Sequence, residues 1–174
     1  MDRGALLTLP NLVSMTRLVL AAGFLATREP ITRLVLIATA SVSDFLDGWL
    51  ARRRNAATKW GALLDPIADR AFVFAAVSSF LARGEITTAE YFILLSRDLA
   101  TAIGFLVARN VTWLRPFVFR ARWPGKVVTV LQLATLAAVI VAPTKVLALV
   151  FLVGVTSAAA IADYTAALWR ERSR

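Results

Sequence analysis

The chain contains neither cysteine nor histidine. Without cysteine there are no disulfides and no thiolate nucleophiles. Without histidine there is no imidazole base and no phosphohistidine intermediate. Zinc centres built on either residue are excluded as well. Any catalysis must rest on carboxylates, arginine, lysine and hydroxyls. The sequence also lacks low-complexity tracts and a convincing internal repeat, which weakens a transporter built from inverted halves. The opening MDRGALLTLPN has neither the basic region nor the cleavage site of a signal peptide, and reads as a short cytoplasmic lead into a first helix.

What is present is apolar. Of 174 residues, 59% are hydrophobic, and the mean hydropathy is +0.69. That is too apolar for an ordinary soluble domain and points to membrane spans. Apolar runs fall at Leu12–Thr27, Ile31–Leu50, Trp60–Arg83, Thr87–Ala108, Gly125–Ala142 and Thr144–Trp169. Each is near the ~20 residues that cross a bilayer. Glu29-Pro30, Arg83-Gly84, Trp113–Pro124 and Pro143 mark the loops. The expected architecture is all-α: an integral membrane bundle of about six transmembrane helices, formed by one domain over residues 1–174.

The net charge is +9 and the isoelectric point is near 11.4. Nucleic acid is not the expected partner, because the basic residues sit in short loops between apolar runs. That pattern suits anionic headgroups and topology signals. With both termini inside, Arg3, Arg52, Arg53, Arg54, Lys59, Arg109, Arg115, Arg120, Arg122, Lys126, Arg170, Arg172 and Arg174 lie inside. Only Arg28, Arg33, Arg83 and Lys145 lie outside. Arg17, Arg70 and Arg97 fall within spans. The Trp113–Pro124 segment interleaves Trp113, Phe117, Phe119 and Trp123 with Arg115, Arg120 and Arg122, and reads either as an interfacial amphipathic element or as a basic loop.

Acidic residues are scarce, and four of the eleven lie in one stretch, DFLDGWLARRRNAATKWGALLDPIAD. Asp44 and Asp47 are three apart late in the second run. Asp65 and Asp69 are four apart early in the third. Each pair shares a helix face. A short polar turn joins the runs, so the helices are predicted to be antiparallel neighbours with the four carboxylates converging near the cytoplasmic end. Carboxylates at membrane depth are costly and usually functional. Four cannot all stay ionised there without cations. Oxygen donors suit Mg²⁺ or Mn²⁺, and such a set can hold two ions about 4 Å apart, as in phosphoryl-transfer enzymes. Gly48, Ala51 and Gly61 allow close approach of a ligand or helix. The plain alternative, ion pairing with Arg52, Arg53, Lys59 and Arg70, leaves the glycine offsets unexplained. A cation or proton transporter would spread its polar groups through the membrane depth, whereas these cluster at one end. A lipid-binding scaffold gives no reason for the offsets.

Asp44, Asp47, Gly48, Ala51, Arg52, Gly61, Asp65 and Asp69 match D-x-x-D-G-x-x-A-R followed by G-x-x-x-D-x-x-x-D. In this the chain resembles the CDP-alcohol phosphatidyltransferases, and the six-helix layout extends the likeness over nearly its whole length. The resemblance implies that CDP-diacylglycerol places its pyrophosphate on two metal ions held by Asp44, Asp47 and Asp65, with Asp69 contributing. Asp69 is implied as the general base toward the acceptor hydroxyl. Asp44, Gly48, Ala51, Arg52 and Gly61 are implied to line the nucleotide site. The family also suggests a homodimer in the bacterial inner membrane, its site facing the cytoplasm.

The acceptor is a finer question. Leu9-Pro10-Asn11, Ser14-Met15-Thr16-Arg17 and Gly125-Lys126-Val127-Val128-Thr129 with Gln132 resemble the glycerol-lipid branch. Within it, Val128 replaces a second lysine, and Ser96-Arg97-Asp98 replaces an Arg-Glu pattern. Both resemble the CDP-diacylglycerol type of cardiolipin synthase, so phosphatidylglycerol is the expected acceptor. Glycerol 3-phosphate, as in phosphatidylglycerophosphate synthase, is the alternative. Arg17, Arg97, Lys126, Arg120 and Arg122 are candidates for acceptor or lipid phosphate. Structural pairing is the competing reading for Arg97 with Asp98, anchoring for Lys126, and topology for Arg120 and Arg122. Asp163 reads as structural.

Overall fold

The computed structural model describes the backbone of residues 9–51, 61–110 and 123–172, and side-chain surroundings at 16–43, 70–104 and 125–166. The described residues form six α-helices: α1 Leu9–Ala26, α2 Pro30–Ala51, α3 Gly61–Ala82, α4 Thr88–Asn110, α5 Trp123–Val141 and α6 Val146–Arg172. A short 3₁₀ turn, Pro143–Lys145, leads into α6. The predicted all-α class holds among these residues. The chain divides into two compact units, Met1–Glu85 and Ile86–Arg174.

Local chemistry sets the helix ends. Pro30 opens α2, where its fixed φ suits the first helical position and its missing N–H leaves no donor unused. Glu29 caps that end, its carboxylate accepting from the backbone N–H of Ile31 at 3.0 Å and from that of Thr32. Gly84 closes α3 at φ 71°, with Gly84 N–H on the Leu81 carbonyl and Glu85 N–H on the Phe80 carbonyl, both at 2.9 Å. That is a Schellman motif, whose left-handed position favours glycine. Thr87 and Glu90 form a reciprocal capping box at the start of α4. Hydroxyls within the helices, among them Thr39, Ser41, Thr101 and Thr135, donate to carbonyls one turn back and so are satisfied within their own helix.

In the first unit α1 packs on both α2 and α3. Phe24 meets Phe72 and Phe80 edge to face, with centroids 5.7 and 5.6 Å apart. At the same end, Arg83 donates from Nη2 to the Thr27 carbonyl at 3.0 Å. The C-termini of α1 and α3 are thus neighbours. The N-terminal part of α2 joins them through Arg33, so α2 runs antiparallel to the other two. In the second unit α6 packs on α4 and α5. Gly154 brings α6 close to α4: a Cβ there would sit 3.2 Å from Ile93 Cγ2. Leu94, Leu136, Val150 and Val153 form that core.

Of the six expected bilayer-length spans, the described residues contain one in full. One segment, Pro143–Ala166, is long and apolar enough to cross a membrane. Helices α2, α3 and α4 have 22, 22 and 23 residues.

Candidate active site

The site begins with a buried cation. Arg33 on α2 is 4% exposed. Its Nη1 donates to both Glu85 oxygens, at 3.0 and 3.2 Å. The guanidinium carbon lies 4.7 Å from the Phe24 ring centroid and 4.3 Å from that of Phe80. This places one residue from each helix of the first unit at a common level, from which positions along the axes can be counted.

On α2 the buried residues Arg33, Ile37 and Ala40 are spaced four and three apart, and Asp44 and Asp47 continue that spacing. On α3 the buried Phe80, Ala76 and Phe72 lead back to Asp69 and Asp65. Eleven residues make just over three whole turns, so Asp44 lies on the same stripe as Arg33, and Asp69 on the same stripe as Phe80. At 1.5 Å per residue, Asp44 and Asp69 both stand roughly 16–17 Å from the Arg33–Phe80 level, and Asp47 and Asp65 roughly 21–23 Å from it. The antiparallel order therefore aligns the two pairs at two successive axial levels. Side chains at these four positions lie outside the described residues, as do the surroundings of Gly48, Ala51 and Gly61. Arg52, Arg120 and Arg122 also lie outside. Among the described residues no group of three or more His, Cys, Asp or Glu side chains could hold a metal.

Arg17 belongs to the same frame. It is 4% exposed and lies on the α1 stripe Arg17, Ala21, Phe24. It stands about 10 Å from the level of Phe24, one helical turn short of Asp44 and Asp69. A buried arginine at that depth suits binding of a phosphate or support of an acid.

The second unit carries its own polar network. Arg97, 6% exposed, donates from Nη1 to Asp98 Oδ1 at 3.2 Å and to Thr129 Oγ1 at 3.4 Å. Gln132, 1% exposed, donates from Nε2 to Asp98 Oδ2 at 2.8 Å and to the Leu94 carbonyl at 2.6 Å. Gly125 makes room for Arg97: a Cβ there would fall 2.5 Å from Arg97 Nη2 and 3.3 Å from Tyr164 Oη. Lys126 is exposed.

A model of CDP-alcohol phosphatidyltransferases matches residues 7–164. The chain belongs to that family. Among its relatives, the CDP-diacylglycerol–glycerol-3-phosphate 3-phosphatidyltransferase of Aquifex aeolicus is 36% identical over 113 residues, covering 61% of this chain and 64% of that protein. A probable phosphatidylglycerophosphate synthase of Mycobacterium tuberculosis is 30% identical over 139 residues, covering 75% of this chain and 64% of that protein. The Escherichia coli protein named like the Aquifex one is 29% identical over 142 residues, covering 74% of each. The chain thus spans just under two thirds of the first two relatives. Their names carry glycerol 3-phosphate or its product, not phosphatidylglycerol.

The features read as marks of a phosphatidylglycerol acceptor have other accounts in this family member. Val128 is fully buried in the second unit, so its side chain is a packing choice. Ser96 donates its hydroxyl to the Ile93 carbonyl of its own helix. Asp98 holds Arg97 and Gln132. Sequence reasoning missed Arg33, read as an outer topology charge, because its partner Glu85 is 52 positions away. It also left Gln132 and Tyr164 without roles; the four- and three-residue spacing Gly125, Thr129, Gln132 was the available signal.

Proposed function

We propose that this chain transfers the phosphatidyl group of CDP-diacylglycerol to glycerol 3-phosphate and releases CMP, making it a phosphatidylglycerophosphate synthase. The observation that carries the reading is the alignment of the two aspartate pairs on antiparallel α2 and α3 within a complete family signature. The relatives' names favour glycerol 3-phosphate over phosphatidylglycerol as acceptor.

In this reading one membrane domain of about six spans, residues 1–174, works as a homodimer in the bacterial inner membrane with its site toward the cytoplasm. Large apolar side chains exposed on every helix, such as Val19, Ile31, Phe74, Ile103, Val130 and Leu147, support a lipid environment. Asp44, Asp47, Asp65 and Asp69 supply only hard oxygen donors, in a chain without softer ligands, which fits Mg²⁺ or Mn²⁺. They would hold two such ions, whose charge offsets that of the pyrophosphate. Asp44, Gly48, Ala51, Arg52 and Gly61 line the nucleotide. Asp69 accepts the proton of the acceptor hydroxyl. The oxygen so exposed attacks the phosphorus that bears diacylglycerol, and the bond from that phosphorus to CMP breaks. Arg17, Arg97, Lys126, Arg120 and Arg122 bind acceptor or lipid phosphate. Direct displacement suits a chain without histidine or cysteine, in which positioning and charge complementarity supply the catalysis.

The test offers purified protein CDP-diacylglycerol with glycerol 3-phosphate or with phosphatidylglycerol, separately, and follows lipid product and CMP. Product from glycerol 3-phosphate alone is expected, and it is expected to vanish with EDTA. Cardiolipin as the sole product would restore the other acceptor. Asp69→Asn is expected to lower turnover about 100- to 10,000-fold, the range for a lost general base. Full activity would remove Asp69 from that role.

A further inference from the structure

We infer that Arg33 is a positioning residue for the aspartate site: clamped by Glu85, Phe24 and Phe80, it fixes the axial register between α2 and α3 on which that site depends. The inference rests on the reading of Asp44, Asp47, Asp65 and Asp69 as metal ligands, but its geometric half stands apart from that reading.

Three observations combine. First, α1 packs on both α2 and α3, and among the described residues Arg33 ties α2 to the end of α3 through Glu85 and Phe80. Second, the contact is directional. The planar guanidinium donates from Nη1 to both oxygens of one carboxylate and lies near two aromatic rings, so sliding α2 by one turn would move it about 5.4 Å and lose all three partners. Third, the same stripes that meet at Arg33 and Phe80 reach Asp44 and Asp69 after an equal number of residues, so any slip there becomes a mismatch of the carboxylate levels. Glu85 is itself placed by the Gly84 turn, whose backbone bonds fix where the acid emerges.

The native chain has no cysteine, so spin labels can be placed without background. Label Val42→Cys and Phe74→Cys, both exposed, on α2 and α3. Distances are measured by pulsed electron paramagnetic resonance in nanodiscs, diluted with unlabelled protein, for wild type, Arg33→Met, Arg33→Lys and Glu85→Gln. Mn²⁺ affinity is measured in parallel on the unlabelled proteins. Arg33→Met is expected to broaden or shift the distance distribution and, by loosening the register of the ligands, to weaken Mn²⁺ binding roughly 10-fold, the low end of what loss of ligand positioning costs. Glu85→Gln should act the same way more weakly. Arg33→Lys keeps the charge and loses the planar contact, and should fall between Met and wild type. Unchanged distances, or unchanged Mn²⁺ affinity in variants whose melting temperature has dropped, would overturn the inference and leave Arg33 a stabilising residue only. Should wild type fail to bind Mn²⁺ while Arg33→Met still shifts the distances, the metal reading falls and the register role stands. Glu85→Gln keeps the test informative if Arg33→Met does not fold.

Discussion

At the scale of single residues, the buried cations divide by what holds them. Arg97 is confined: Asp98 and Thr129 take Nη1, and Gly125 leaves the volume that Nη2 fills. Gly125→Ala places a carbon within 2.5 Å of that nitrogen. The guanidinium must move, and its bonds to Asp98 and Thr129 must lengthen. Overpacking of this kind costs about 1–3 kcal/mol. Gly125→Ala is expected to lower the unfolding midpoint in detergent, and to lower it much less when introduced into an Arg97→Ala background. An equal cost of Gly125→Ala in both backgrounds would show that the clash with Arg97 is absorbed elsewhere. Such contacts were only half legible. The sequence showed charges inside apolar runs, which bilayer energetics mark as important. It did not show that Asp98 binds both Arg97 and Gln132, because the helical spacing of Gly125, Thr129 and Gln132 gains meaning only when α5 is laid beside α4.

At the scale of elements, the helix ends were the most readable part. Pro30, Gly84 and Pro143 stop or start helices for backbone reasons that hold in any fold. The aspartate spacing predicted shared faces, and α2 and α3 are helical through all four positions. What the spacing could not supply is the role of α1, which packs on both helices; pairing across α1 depends on long-range contacts. The cap at Glu29 gives a pH test. The bond with the Thr32 side chain, then the N–H groups of Thr32 and Ile31, hold this exposed carboxylate below its ordinary pKa. A lowered folded pKa means that the ionised cap stabilises α2 above the ordinary glutamate value, about 4.3, and that the benefit is lost as pH falls through the lower folded value. The melting-temperature difference between wild type and Glu29→Gln should be constant from about pH 5.5 to 8 and shrink in acid below the ordinary value. A difference that grows on acidification would contradict the assignment.

At the scale of the whole molecule, apolar composition predicted a membrane protein, while the described helices include one bilayer-length apolar segment. Helices α2, α3 and α4, with 22, 22 and 23 residues, are also long enough to span. In a six-span chain the turns at Arg28 and Lys145 lie on one side of the membrane, and Asn55, in the basic segment between α2 and α3, lies on the other. Arg28→Cys, Lys145→Cys and Asn55→Cys each provide a single thiol in a chain that has none. In intact bacterial spheroplasts, a membrane-impermeant maleimide is expected to label positions 28 and 145 and to reach position 55 only after permeabilisation. Labelling of 28 and 55 from the same side would mean that α2 does not cross, and would remove the aspartates from a membrane-spanning helix. Labelling of 28 and 145 from opposite sides would mean that an odd number of crossings separates them, four being required. Arg52, Arg53 and Arg54 directly follow the aspartate end of α2 in sequence, so the same result decides whether that end faces the side where the positive-inside bias puts them.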